Sequence, residues 1–148
     1  MLSTGEMNIL NQLRSNARES LTELSKKTQI PISTIYTKLV KFRNGVIRKH
    51  TSLLNFRALG YHTIALMFLS STEPEQLRHY LVTSAQINSV FKLNSEYQFM
   101  VEGIFEHLSD VDAFLERLET KLGRVERKLF YIVDEYQREG FMADERFL

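Results

Sequence analysis

SLTELSKKTQIPISTIYTKLVKFRNG, residues 20–45, is the stretch on which the fold of this 148-residue chain turns. Ser20 and Glu23 have capping-box spacing and open a short helix with Leu21 and Leu24 inward and Lys26 and Lys27 outward. Thr28-Gln29-Ile30 reads as a tight turn. Pro31 then suits the first position of a new helix, where its missing N–H is not needed. In that helix Ile35, Leu39 and Phe42 are four and three residues apart and make one buried stripe. Asn44-Gly45 ends it, with Gly45 as the left-handed cap. Two helices of this length across so short a turn form a helix-turn-helix unit. Upstream, Ser3-x-x-Glu6 opens a first helix with Ile9, Leu10 and Leu13 on one face, broken at Asn16-Ala17-Arg18.

The charge is divided in the same way as the motifs. Residues 1–50 hold nine Lys/Arg against three acids, a net +6, and the rest of the chain holds ten against fifteen, a net −5. Together they give the overall +1, which hides a basic module joined to an acidic one. A basic module carrying a helix-turn-helix is the footprint of a binder of double-stranded DNA, with the second helix in the major groove. Its outward positions are Ile32, Ser33, Thr34, Tyr36, Thr37, Lys38 and Lys41. Ser33, Thr34, Thr37 and Lys38 are the candidates for base edges, and Lys26, Lys27, Lys41, Arg43, Arg48 and Lys49 for phosphate. The plainer alternative is that Ser33 and Thr34 only cap the helix and the lysines form a solvated face. Val46-Ile47-Arg48-Lys49-His50-Thr51 is β-rich and basic, and reads as a wing or hinge strand.

The acidic module has another rhythm. Residues 51–60 are a hinge, with Gly60 allowing a sharp entry into an apolar strand over 61–70. Glu73-Pro74-Glu75 starts a helix with Leu77, Tyr80 and Leu81 on one face. Strands over 87–93 and 97–105 flank the hairpin Asn94-Ser95-Glu96. Ser109-x-x-Asp112 opens a second helix that stops at Gly123, and a last strand spans 125–136. Strand-helix-strand-strand-helix-strand is the ferredoxin-like βαββαβ order, so the chain is α+β: a winged helix-turn-helix over 1–50 and a ferredoxin-like domain over 61–136. Two helices cover one sheet face only. Apolar residues on both strand faces, such as Val90 beside Phe91 and Met100 beside Val101, predict a homodimer with sheet packed on sheet. The tail, 137–148, carries Phe141, Met142, Phe147 and Leu148 as anchors, for a neighbouring subunit or for nothing.

Bulk properties narrow the classes. There are no cysteines, which removes disulfides, thiolate metal sites and a cysteine nucleophile. No apolar run reaches the roughly 18–20 residues of a membrane span, and the first residues lack a signal-peptide pattern. The four histidines, His50, His62, His79 and His107, are scattered, so neither a metal nor a cofactor is expected. A cytoplasmic protein is.

With both halves in hand, the chain resembles the leucine-responsive/asparagine-operon (Lrp/AsnC) regulators. The matching residues are Ile9-Leu10, Leu13, Asn16-Ala17-Arg18, Leu21-Thr22-Glu23-Leu24-Ser25, Ile35-x-x-Lys38-Leu39-x-x-Phe42, Gly45-Val46-Ile47, Leu54-Asn55 and Leu59-Gly60-Tyr61. The resemblance implies a transcription regulator in which a winged helix-turn-helix is tethered to an effector and oligomerisation domain. It also implies dimers on palindromic operators, and often octamers. The turn before Gly45 is one residue shorter than the family spacing, and the later Gly-Val motif becomes Gly123-Arg124-Val125. Where the family's hairpin reads Gly-x-x-Asp and helps hold an amino acid, this chain has Ser95 and Gln98 around Glu96. A different small molecule, or none, is therefore expected there. The rival class, a siroheme-decarboxylase-like enzyme on the same folds, needs histidines and basic residues gathered at a tetrapyrrole pocket. Here the basic residues concentrate on the helix-turn-helix, so no enzyme is expected.

Overall fold

The computed structural model describes residues 1–143, which divide into two compact units: Met1–Leu53 together with the segment from Tyr136 onward, and Leu54–Glu135. No helix among the described residues is long and apolar enough to cross a membrane.

The first unit is built from α1 (Thr4–Ser15), α2 (Leu21–Thr28) and α3 (Ile32–Arg43). The box at the start of α1 is complete: Glu6 N donates to Ser3 Oγ at 3.3 Å and Ser3 N donates to Glu6 Oε2 at 2.8 Å. At α2 only half of it forms. Ser20 Oγ accepts from Glu23 N at 3.1 Å, while the Glu23 carboxylate turns to Lys26 at 3.0 Å. Ile9, Leu10, Leu24, Ile35 and Phe42 make the core, with Leu13, Leu21, Ile30 and Leu39 packed around them.

Three local expectations change. Pro31 is the cap of α3 and Ile32 its first residue. Gly45 is not left-handed; instead the N–H groups of Gly45, Val46 and Ile47 converge on the Phe42 carbonyl at 3.2, 3.0 and 2.8 Å, a turn that needs no glycine. The left-handed residue of the α2–α3 turn is Gln29 (φ 57°, ψ 28°), which closes α2. Nor do residues 46–51 form a strand. All four strands among the described residues lie in the other unit, so a segment here has no strand of its own unit to pair with.

The C-terminal segment packs on α1 of its own unit. Arg14 donates to the Glu139 carboxylate at 3.0 Å, to Glu139 O at 2.8 Å and to Phe141 O at 3.1 Å. Asn11 Nδ2 donates to Met142 O at 3.0 Å, and the Met142 side chain joins the core. Of the anchors expected in the tail, Phe147 and Leu148 lie outside the described residues.

The second unit has the expected order: β1 (Thr63–Ser70), α4 (Pro74–Thr83), β2 (Ile87–Lys92), β3 (Phe99–Phe105), α5 (Leu108–Leu122) and β4 (Glu126–Tyr131). The strands lie β2-β3-β1-β4, every neighbour antiparallel. Gly60 (φ 93°) ends a single 3₁₀ turn, Arg57–Leu59, ahead of β1. One face of the sheet, with Ala65, Met67, Leu69, Val101 and Phe105, packs on Leu77, Leu81, Phe114 and Leu118 of the helices. Gly103 is part of this fit, since a Cβ there would sit 2.5 Å from the Phe105 ring. α5 begins one residue before Ser109. His107 is its cap, and Asp110, not Asp112, bonds back to the cap N–H at 2.9 Å.

The other sheet face is not covered by the unit's helices. Ile64, Leu66 and Phe68 alternate onto it from β1, and Met100, Glu102 and Ile104 from β3. Phe91 sits opposite Met100 and Phe130 opposite Leu66, so both share that face, 52% and 46% exposed.

Candidate nucleic-acid interface

Helix α3 turns Ile35 and Phe42 into the core, which leaves Ser33, Thr34 and Thr37 exposed on its far side. Thr37 Oγ1 donates to Ser33 O at 3.0 Å, back-bonding one turn earlier, so its lone pairs stay open to an incoming donor. Lys38 is placed differently. It is half-buried, and its Nζ lies 2.9 Å from Glu6 Oε1 on α1. Lys41 reaches the same oxygen at 3.4 Å from a more exposed position.

Glu6 therefore does two jobs with one carboxylate: Oε2 caps α1 and Oε1 holds two lysines of α3. Its pKa falls from 4.5 to about 2, chiefly through the Lys38 hydrogen bond and then the Ser3 N–H. The capping motif was legible in the sequence. The second job was not, because 32 residues separate Glu6 from Lys38 and no local pattern links them.

The candidate phosphate contacts separate into two groups. Lys26 pairs with Glu23 and Lys27 with Glu19, each at 3.0 Å. Arg43, Arg48 and Lys49 are exposed and have no acidic partner among the described residues. These three cations are clustered in sequence at the end of α3 and just beyond it.

The hairpin positions in the second unit are occupied by local bonds. Ser95 Oγ contacts Tyr97 O at 3.1 Å and Tyr97 N at 3.2 Å. Gln98 accepts from Ser71 N and donates to Ser71 O, both at 3.0 Å, tying the start of β3 to the end of β1. Glu96 is exposed. A cavity of 720 Å³ opens near the opposite end of β3, where Phe56, Tyr61, Asn88, Glu106 and Arg117 are among its walls. Its lining comes from separate segments, so no sequence motif marks it.

No family model matches the chain. An uncharacterized HTH-type transcriptional regulator of Pyrococcus abyssi is 24% identical over 147 residues, 97% of this chain and 99% of that one. Among solved structures, the leucine response regulatory protein LrpA of Mycobacterium tuberculosis superposes with a TM-score of 0.80 at 15% identity, covering 93% of this chain and 97% of its own. A transcriptional regulator of Neisseria meningitidis, solved with L-methionine, does so with a TM-score of 0.84 at 17% identity, covering 93% and 94%. The fold is that of the Lrp/AsnC regulators. The family resemblance drawn from the sequence is thus borne out, and it extends through both units.

Proposed function

We propose that the chain is a sequence-specific DNA-binding transcription regulator of the Lrp/AsnC type, acting on palindromic operators as a homodimer. The observation that carries this reading is on α3: Ser33, Thr34 and Thr37 stand outward, and Arg43, Arg48 and Lys49, exposed and with no acidic partner among the described residues, follow, within fifty residues of net +6. The similarity to a relative named as an HTH-type transcriptional regulator supports it. Ser33, Thr34 and Thr37 face base edges. Arg43, Arg48 and Lys49 take phosphate first, and Lys26, Lys27 and Lys41 take it by exchanging their present acids. Lys38 sets the packing of α3 on α1 through Glu6, and meets DNA only by leaving that carboxylate. The uncovered sheet face is closed by a second copy, which gives two recognition helices and half-sites spaced by about one helical turn or a multiple.

The test is fluorescence anisotropy with duplexes selected by the full chain, across a salt series. Lys49→Ala should weaken all sequences alike and flatten the log–log salt slope by about one. Thr37→Ala should instead cost roughly 1–3 kcal/mol at one operator position. A chain that selects no duplex and shows no salt-dependent binding would overturn the reading.

In this reading the hairpin does not hold an α-amino acid: Ser95 bonds to the Tyr97 backbone, Gln98 bonds to the Ser71 backbone, and neither supplies a carboxylate for an ammonium. Calorimetric titration with the twenty amino acids should give no heat. Low-micromolar binding that Gln98→Ala abolishes would contradict this.

A further inference from the structure

Helix α3 carries a second outward row beside its hydroxyls. Ile32, Tyr36 and Val40 are 45%, 60% and 42% exposed. They are the only large apolar residues so exposed on the three helices of their unit, and they fall at one spacing, four residues apart. Residues four apart lie one above another on a helix, so the three side chains form a single row about 12 Å long, at 1.5 Å per residue. A solvated face gains nothing from such a row; α1 and α2 have none. The row calls for an apolar occupant on the most cationic part of the chain.

On a DNA duplex the major groove offers one substantial apolar group, the C5-methyl of thymine. We infer that Ile32, Tyr36 and Val40 read thymine methyls, so that this row, beside the hydroxyls of Ser33 and Thr37, decides which operators are chosen. The inference rests on the DNA-binding reading above and deepens it. Successive row members are about 6 Å apart, close to two base-pair steps of 3.4 Å. Each half-site should therefore carry thymines about two steps apart, on either strand. The Tyr36 ring covers a methyl while its hydroxyl remains free for a base edge or a phosphate. Ser33 and Thr37, beside the row, supply the polar part of the same readout.

Deoxyuridine keeps every hydrogen-bonding group of thymine and lacks only the methyl. Full-length protein is first used to select an operator from random duplexes, and each thymine is then replaced singly by deoxyuridine. Affinity is measured by anisotropy. Replacement at two or more positions per half-site should weaken binding about fourfold each, the worth of one buried methyl group. That penalty should vanish at one position in Tyr36→Ala and at another in Ile32→Ala, yet persist in Tyr36→Phe and in Lys49→Ala. These side chains are exposed, so circular dichroism should show the variants folded. An operator bound tightly with no deoxyuridine penalty anywhere overturns this inference and leaves the regulator reading standing. So does a penalty that survives in every α3 variant. If no duplex is selected at all, both fall, and the row is then an interface for another protein.

Discussion

At the scale of single residues, Glu6 shows how one side chain serves two helices. Its carboxylate is buried, caps α1 and holds Lys38 and Lys41 of α3. Because its pKa in the folded chain lies below the ordinary 4.5, the ionised form is the one that folding favours. The stability it contributes is present above pH 4.5 and is lost as pH falls toward about 2. Denaturation of the wild-type chain and Glu6→Gln across that range should show a gap that is widest at neutral pH and closes in acid. A gap independent of pH would show that folding does not lower the Glu6 pKa. Gly103 is the other residue whose role is purely local. A valine there meets the Phe105 ring and Met67, and should cost about 1–3 kcal/mol of stability in the second unit, seen as a lowered melting midpoint. The glycine could be read as a residue of β3, but its necessity depends on a ring two residues away along the strand, which only the coordinates show.

Among elements, α3 would separate stability from the proposed recognition by face. Phe42 is fully buried, so Phe42→Ala should cost about 3–5 kcal/mol in thermal or chemical unfolding. The same substitution should leave the DNA affinity of the folded fraction unchanged, because Phe42 lies away from Ser33 and Thr37. A loss of affinity at full folding would mean that the two faces are coupled. Helix starts were well predicted where a short polar side chain bonds to a nearby N–H, as at Ser3 and Ser20. They were less well placed at α5, where His107 rather than Ser109 is the cap. The α2 stop at Gln29 is legible as a turn but not as a left-handed residue, since nothing in glutamine favours that conformation. The segment 46–51 shows the converse. Its β-branched composition is compatible with a strand, yet strand formation is settled by a partner that composition cannot supply.

For the whole molecule, the proposed dimer rests on the sheet face that carries Leu66, Phe68, Phe91 and Phe130. Phe91 is half-exposed within one chain, so Phe91→Asp should leave the fold intact while sedimentation shows a shift toward monomer. Operator affinity should drop with it, since two linked recognition helices bind far more tightly than one. A Phe91→Asp chain that remains dimeric would move the interface elsewhere. What the sequence determined alone is the order of elements, the division into a basic and an acidic part, and the outward hydroxyls of α3. Those follow from helical and strand periodicity and from local capping, which act over a few residues. Only the tertiary structure decided that Glu6 reaches α3, that Gln98 bonds to Ser71, and that the C-terminal segment returns to α1 at Arg14. Each of these joins residues far apart in the chain, and proximity of that kind is set by packing rather than by any pattern along the sequence.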